Sequence, residues 1–124
     1  MAYVFHNPNP RGIVTNDCIV RAVANATDTP WSDIMNDLCE TAKEIYNMPN
    51  NFETISKYMS SKGHQNHTIL SADACTVAEF CEKHPYGRYV ILTPDHSLAV
   101  VGGDYIDVTD CGNSPVTDYW EIKC

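Results

Sequence analysis

The chain has 124 residues, 44% of them hydrophobic, and no run approaches the ~20 apolar residues that a membrane-spanning helix needs. Sixteen acidic and eight basic residues give a formal net charge of −8 at pH 7. Because binding to phosphates depends on clustered Lys and Arg, and none cluster here, this composition argues against nucleic acid as a partner. We expect one domain over residues 1–124, large enough for a hydrophobic core of its own.

The cysteines and the first residues indicate a compartment. Six cysteines, at positions 18, 39, 75, 81, 111 and 124, form no CxxC pair and have no regular spacing. The first seven residues, MAYVFHN, contain neither the basic region nor the apolar region of a secretory signal. We therefore expect reduced thiols in a cytoplasmic protein rather than a secreted disulfide scaffold.

Helical periodicity dominates the first half of the chain. Residues 1–16 predict an extended, irregular segment, whereas apolar residues recur at helical spacing in three segments that follow. Thr76 and Glu79 have the spacing of a capping box, which predicts a short helix through Lys83. The predicted helices cover residues 17–26, 30–45, 52–62 and 77–83.

Strand patterns dominate the second half. Apolar, β-branched segments read as successive strands, and Gly102–Gly103 predicts a tight turn between two of them. The predicted strands cover residues 67–70, 88–93, 96–101, 105–108 and 119–122. N-terminal helices packed on a C-terminal antiparallel sheet give an α+β fold.

Cys18 stands where a polar, turn-prone segment meets the apolar run 19–24. Asn16 or Asp17 can cap the helix that begins there, which puts Cys18 in the first helical turn. The positive end of the helix dipole favours a thiolate over a thiol at that place. Position alone is weak evidence, because most free cysteines are buried and only pack.

His96 begins a predicted strand and has a carboxylate near it in either of two registers. If Gly102–Gly103 forms a two-residue turn, Leu98 opposes Asp107 and His96 lies diagonal to Asp107 on the same face. A three-residue loop would instead place His96 opposite Asp110. Either carboxylate can fix the tautomer and orientation of the imidazole, and we favour Asp107 because apolar residues flank it within the strand.

Three segments together carry a family resemblance: residues 16–22 (NDCIVRA), 96–101 (HSLAVV) and 105–110 (YIDVTD). They resemble the small papain-like cysteine peptidase domains, among them compact phage and bacterial forms and the bacteriocin-processing peptidases. The resemblance extends from about residue 12 to about residue 122. It implies a papain-like fold in which a helix bearing the cysteine packs on a sheet that carries the histidine and the acid.

By that resemblance Cys18 is the nucleophile, His96 the general base and later acid, and Asp107, or alternatively Asp110, the orienting group. The implied reaction is cleavage of a peptide or isopeptide bond without a metal or other cofactor. Larger family members place a glutamine amide in the oxyanion hole a few residues before the cysteine. This sequence has no glutamine there, so the Cys18 N–H and Asn16 are the candidate donors, and a lost donor can cost about 10²–10³ in rate.

The partner so implied is a peptide or protein substrate, a host protein included, in the host cytosol if the chain is phage-encoded. Two alternatives stay open. One is a catalytically inactive papain-like fold that binds or inhibits a protein through its acidic surface, and the other is acyl transfer of the transglutaminase type. The HxxH pair His64 and His67 lacks a matching second pair of ligands, which argues against a zinc site.

Overall fold

A computed structural model describes residues 2–123 of the chain. Within that range, four α-helices and a six-stranded sheet form an α+β fold, as the sequence pattern predicts. The helices are α1 (Cys18–Thr27), α2 (Trp31–Ile45), α3 (Phe52–Ser61) and α4 (Val77–Lys83), and a 3₁₀ turn covers Ser71–Asp73. The strands are β1 (Tyr3–Phe5), β2 (Gln65–Thr68), β3 (Arg88–Thr93), β4 (His96–Val101), β5 (Asp104–Asp107) and β6 (Asp118–Glu121). In this part of the chain, no helix has both the length and the apolar character needed to cross a bilayer.

The sheet is mixed, with the strand order β1-β5-β4-β3-β6-β2. Four of its pairings are antiparallel, but β1 runs parallel to β5 at one edge. The prediction of an antiparallel sheet is therefore wrong at that edge, and so is the prediction of an irregular segment where β1 lies. A three-residue strand with exposed Val4 and Phe5 has no alternating apolar pattern that could have revealed it.

Two tight hairpins set the register of the central strands. Thr93 pairs with His96 at the β3–β4 turn, and Val101 pairs with Asp104 at the β4–β5 turn. Gly102 and Gly103 have φ angles of 58° and 82°, the positive values that a two-residue hairpin of this hand requires. The predicted two-residue turn, and the register that brings Asp107 towards His96, are confirmed.

The central strands are buried on both faces. Val90, Leu92 and Ala99 join the core formed by α1, α2 and α3, whereas Ile91 and Leu98, one residue out of phase, join a second core with α4. This two-sided burial explains why these strands read as continuous apolar runs rather than as alternating ones.

Helix α1 packs on β4 more extensively than on any other element. Its small side chains, among them Ala22 and Ala26, are fully buried and allow the helix to approach the sheet closely. This packing brings the first residue of α1 beside the first residues of β4, where the candidate site lies.

Candidate functional site

Cys18 is the first residue of α1 and is half-buried. Asp17 occupies the capping position, but its side chain caps none of the helix N–H groups, so its predicted capping role is wrong. Helix geometry leaves the N–H groups of the first turn without intrahelical acceptors. The positive end of α1 is therefore not neutralised by a side-chain cap, and Cys18 lies in its first turn.

The Asp17 carboxylate is occupied by other partners. It accepts a hydrogen bond from Asn9 Nδ2 at 3.1 Å and one from the indole N–H of Trp31 at 3.0 Å, and it forms an ion pair with Arg21. Burial alone would raise the pKa of Asp17, but these hydrogen bonds and the guanidinium outweigh it and lower the pKa. Asp17 is thus a buried, charged anchor that fixes the chain directly before Cys18.

His96 begins β4 and contacts the acid that the hairpin register predicts. Its Nε2 hydrogen-bonds to Oδ2 of Asp107, and the Asp107 side chain is 2% exposed whereas that of His96 is 29% exposed. The other carboxylate oxygen of Asp107 accepts the Val108 N–H at 2.8 Å. The carboxylate is held by its own backbone and in turn fixes the ring of His96, which leaves Nδ1 free for a second partner.

The side chains of Cys18 and His96 are neighbours and change each other's acidity. The hydrogen bond with His96 lowers the pKa of Cys18 against the opposing effect of burial, and the Ser97 N–H and the Arg21 charge add to the lowering. Hydrogen bonds to Asp107 and to Cys18 raise the pKa of His96 to about 9, again against burial. Both shifts favour a thiolate beside an imidazolium over a neutral thiol beside a neutral imidazole.

The other cysteines have a different environment. The five cysteines that the structure describes are free thiols. Burial raises the pKa of Cys75, and burial with nearby carboxylates raises the pKa of Cys81 and of Cys111 to about 11. The pKa of Cys18 is shifted in the opposite direction, so the site distinguishes Cys18 chemically from these three packed cysteines.

Arg21 connects both ends of the site and is 3% exposed. One terminal nitrogen pairs with Asp17 one helical turn before it, and the other lies 3.5 Å from Oδ1 of Asp107 on β5. The spacing of one helical turn indicates the pair with Asp17, as an ion pair on the helix surface, but sequence reasoning did not assign the contact with Asp107. The available signal was an arginine inside the apolar run 19–24, where a charged side chain is rarely buried unless it has charged partners.

The alternative acid, Asp110, has other partners than His96. Its Oδ1 accepts the Tyr105 hydroxyl at 2.8 Å and the Gly112 N–H at 3.0 Å. Asp107 is therefore the carboxylate that contacts His96, and Asp110 stabilises the loop after β5. Asn16, the candidate oxyanion donor, is exposed beside the start of α1, and its catalytic role stays a prediction.

Cys111 is a neighbour of the site that the sequence did not predict. Its Sγ, a ring nitrogen of His96 and a carboxylate oxygen of Asp107 all lie within 4.8 Å of one another, a spacing that a metal ion could bridge. Two of these three groups are already hydrogen-bonded to each other, however, so we interpret the set as a His–Asp pair beside a half-buried thiol. The HxxH residues are used elsewhere: His64 accepts the Lys123 N–H and His67 stacks on Tyr119.

No protein-family model, curated protein or solved structure matches the chain. The groups brought together are a half-buried thiol at a helix N-terminus, an imidazole in contact with it, and a buried carboxylate behind the imidazole. Chemically, such a set can generate a thiolate nucleophile and then return a proton to a leaving group.

Proposed function

We propose that the chain is a thiol-dependent peptidase or amidase of papain-like fold that cleaves a peptide or isopeptide bond. The observation that carries the proposal is the contact from Cys18 to His96 and from His96 to Asp107. A thiol beside an imidazole that a buried carboxylate orients is the arrangement that activates a cysteine nucleophile. The order of these residues along the chain, on a helix start and then on two adjacent antiparallel strands, supports the papain-like interpretation.

The proposed reaction begins with the thiolate of Cys18. It attacks the substrate carbonyl carbon, a C–S bond forms, and the carbonyl electron pair moves to oxygen. As the tetrahedral intermediate collapses, the C–N bond breaks and the His96 imidazolium donates its proton to the departing amine. The product of this step is a thioester between the substrate acyl group and Cys18. The neutral imidazole then takes a proton from water, and the water oxygen attacks the thioester carbon. The C–S bond breaks, which releases the carboxylic acid and regenerates the thiolate and the imidazolium.

The oxyanion of the intermediate needs donors that are already in place. The start of α1 supplies N–H groups that helix geometry leaves unpaired, the N–H of Cys18 among them, and the uncapped Asp17 position leaves them free for a ligand. The exposed amide of Asn16 is the second proposed donor. Such donors act most strongly when they are preorganised, which the anchoring of Asp17 by its three partners provides.

Site-resolved alkylation tests the proposal. Iodoacetamide is added near neutral pH to the wild type, to His96→Gln and to His67→Gln. His67 is the control histidine, because it lies on the edge strand β2, whereas His96 lies on β4 inside the sheet. Mass spectrometry gives the rate of labelling at each cysteine. We expect Cys18 to react fastest. We expect His96→Gln to slow it by about tenfold for each unit by which the Cys18 pKa comes to exceed the assay pH, and His67→Gln to leave the rate unchanged.

Equal labelling of several cysteines, or a rate at Cys18 that does not change in His96→Gln, would contradict the proposal and favour an inactive binding protein.

Turnover is assayed by incubating the wild type and Cys18→Ala with a mixture of peptides from a digested protein. New peptide ends that need Cys18 support hydrolysis. Products that instead incorporate an added primary amine support acyl transfer and overturn hydrolysis as the main reaction.

A further inference from the structure

A pocket of about 300 Å³ opens beside the candidate site. One wall is the chain that flanks Cys18, residues 15–17 and 19–20, and the opposite wall comes from α2 and from the loop between α2 and α3. The volume is at the lower end of the ~300–1,000 Å³ typical of ligand pockets, so it suits one side chain rather than a longer segment. A larger pocket of about 780 Å³ lies along β1, but none of the residues adjacent to Cys18 in sequence lines it.

We propose that this pocket receives an uncharged, apolar side chain of the substrate, from the residue that supplies the carbonyl attacked by Cys18. The inference rests on the proposed function and adds a substrate class to it. Asn16 lines the pocket and is also the proposed oxyanion donor. When Asn16 binds the carbonyl oxygen of a substrate residue, the side chain of that same residue lies closest to the pocket mouth.

The chemistry of the walls selects an apolar side chain. Ile19, Val20 and Met35 contribute apolar surface, and Met48, which is 65% exposed, lies at the rim. Methionine side chains adapt to different apolar shapes, so the pocket suits leucine, methionine or phenylalanine rather than one of them alone.

The charges at the pocket exclude ionised side chains. Of the described residues that line it, Asp17 alone is ionisable, and its carboxylate is already paired with Arg21 and hydrogen-bonded to Asn9 and Trp31. A lysine or arginine side chain would lose water there without gaining a free counter-ion, and an acidic side chain would meet the Asp17 carboxylate.

Methyl NMR of methionine tests occupancy without any need for catalysis. The full chain carrying Cys18→Ala and ¹³C-methyl methionine is titrated with the methylamides of acetyl-leucine, acetyl-lysine and acetyl-aspartate. Met35 and Met48 line the pocket, whereas Met59 is fully buried in the core and serves as the internal control. We expect the leucine compound alone to shift Met35 and Met48 saturably, with Met59 unchanged. Equal shifts with all three compounds, or none with leucine, would overturn the inference.

A second measurement uses the reactive thiol. Cys18 is labelled either with acetyl-leucine chloromethyl ketone or with iodoacetamide, in the wild type, in Met48→Asp and in Leu70→Asp. Leu70→Asp is the control, because it also replaces an exposed apolar side chain by aspartate but lies outside the pocket. We expect Met48→Asp to slow the leucine reagent about tenfold or more relative to iodoacetamide, and Leu70→Asp to leave the ratio unchanged. An unchanged ratio in Met48→Asp would contradict the pocket. Slow labelling of wild-type Cys18 by iodoacetamide itself would contradict the proposed function instead, so the two failures are distinguishable.

Discussion

The Nη2 atom of Arg21 lies 3.5 Å from Oδ1 of Asp107, and both side chains are almost completely buried. This contact ties α1, which carries the thiol, to β5, which carries the acid of the imidazole. The same guanidinium pairs with Asp17 directly before Cys18. Asp17 and Asp107 share this buried cation, so the removal of Arg21 leaves Asp17 without a charged partner and Asp107 with His96 alone.

Replacement of Arg21 is expected to destabilise the fold. Arg21→Met leaves the Asp17 carboxylate buried without its cation and removes one of the two cationic partners of Asp107, and breaking a buried pair in this way costs ~3–5 kcal/mol. The free energy of unfolding, from urea denaturation of Arg21→Met and of the control Arg11→Met at an exposed site, measures the effect. Arg21→Lys should recover only part of the loss, because an ammonium lacks the planar fork that reaches both carboxylates. A loss within error of that of Arg11→Met would contradict a structural role for the bridge.

Asp107 and Asp110 are expected to differ in their effect on His96. Asp107→Asn replaces the charged acceptor that is the main cause of the raised pKa of His96, so that pKa should fall from about 9 towards its ordinary value. Asp110→Asn should leave it unchanged, because Asp110 bonds to Tyr105 and Gly112. NMR titration of the His96 ring gives both values. A fall in Asp110→Asn with none in Asp107→Asn would mean that the acid is assigned to the wrong residue.

The dependence of kcat/KM on pH is expected to be bell-shaped. Activity should rise with pH as Cys18 loses its proton, at a pH below the ordinary thiol value because its pKa is lowered. Activity should fall again near pH 9, where His96 loses the proton that the leaving amine needs. Alkylation of Cys18 should share the acid limb but not the fall, since alkylation requires no proton donor. An alkylation rate that falls through pH 9 would contradict this assignment of the two limbs.

Asn16→Ala is expected to separate oxyanion stabilisation from thiol activation. Loss of one oxyanion donor should lower kcat by about 10²–10³. Iodoacetamide labelling of Cys18 should not change, because that reaction forms no oxyanion. Asn113→Ala, at an exposed asparagine far along the chain, is the matched control for both assays. Unchanged turnover in Asn16→Ala would leave the Cys18 N–H as the donor and remove Asn16 from the mechanism.

The elements that the sequence predicts well are those with strong local signals. The Thr76–Glu79 capping box is present, and the glycine turn fixes the register that brings Asp107 to His96. Elements without such signals were misplaced or missed. Strand β2 begins two residues before its predicted start, and β1 lies within a segment predicted to be irregular.

Side-chain partners across the fold are the part that local patterns do not contain. Asp17 has the residue type and position of a helix cap. Its carboxylate nevertheless binds the side chains of Asn9, Arg21 and Trp31 instead of the helix N–H groups. Competition between a cap and a buried ion pair is decided by packing, because burial strengthens the interaction with Arg21. Likewise the proximity of Cys111 to His96 depends on the path of the loop after β5, which no periodicity encodes.

The most direct test of the central claim is the titration of the Cys18 thiol in solution. The pKa of Cys18 is obtained from the thiolate absorbance of the wild type minus that of Cys18→Ala, measured as a function of pH. The same difference measured in the His96→Gln background gives the contribution of the imidazole to that pKa. We expect a pKa below the ordinary value of about 8.5 that rises when His96 is replaced. A thiol that titrates at or above that value, and at the same pH with or without His96, would contradict the thiolate–imidazolium pair and with it the proposed peptidase.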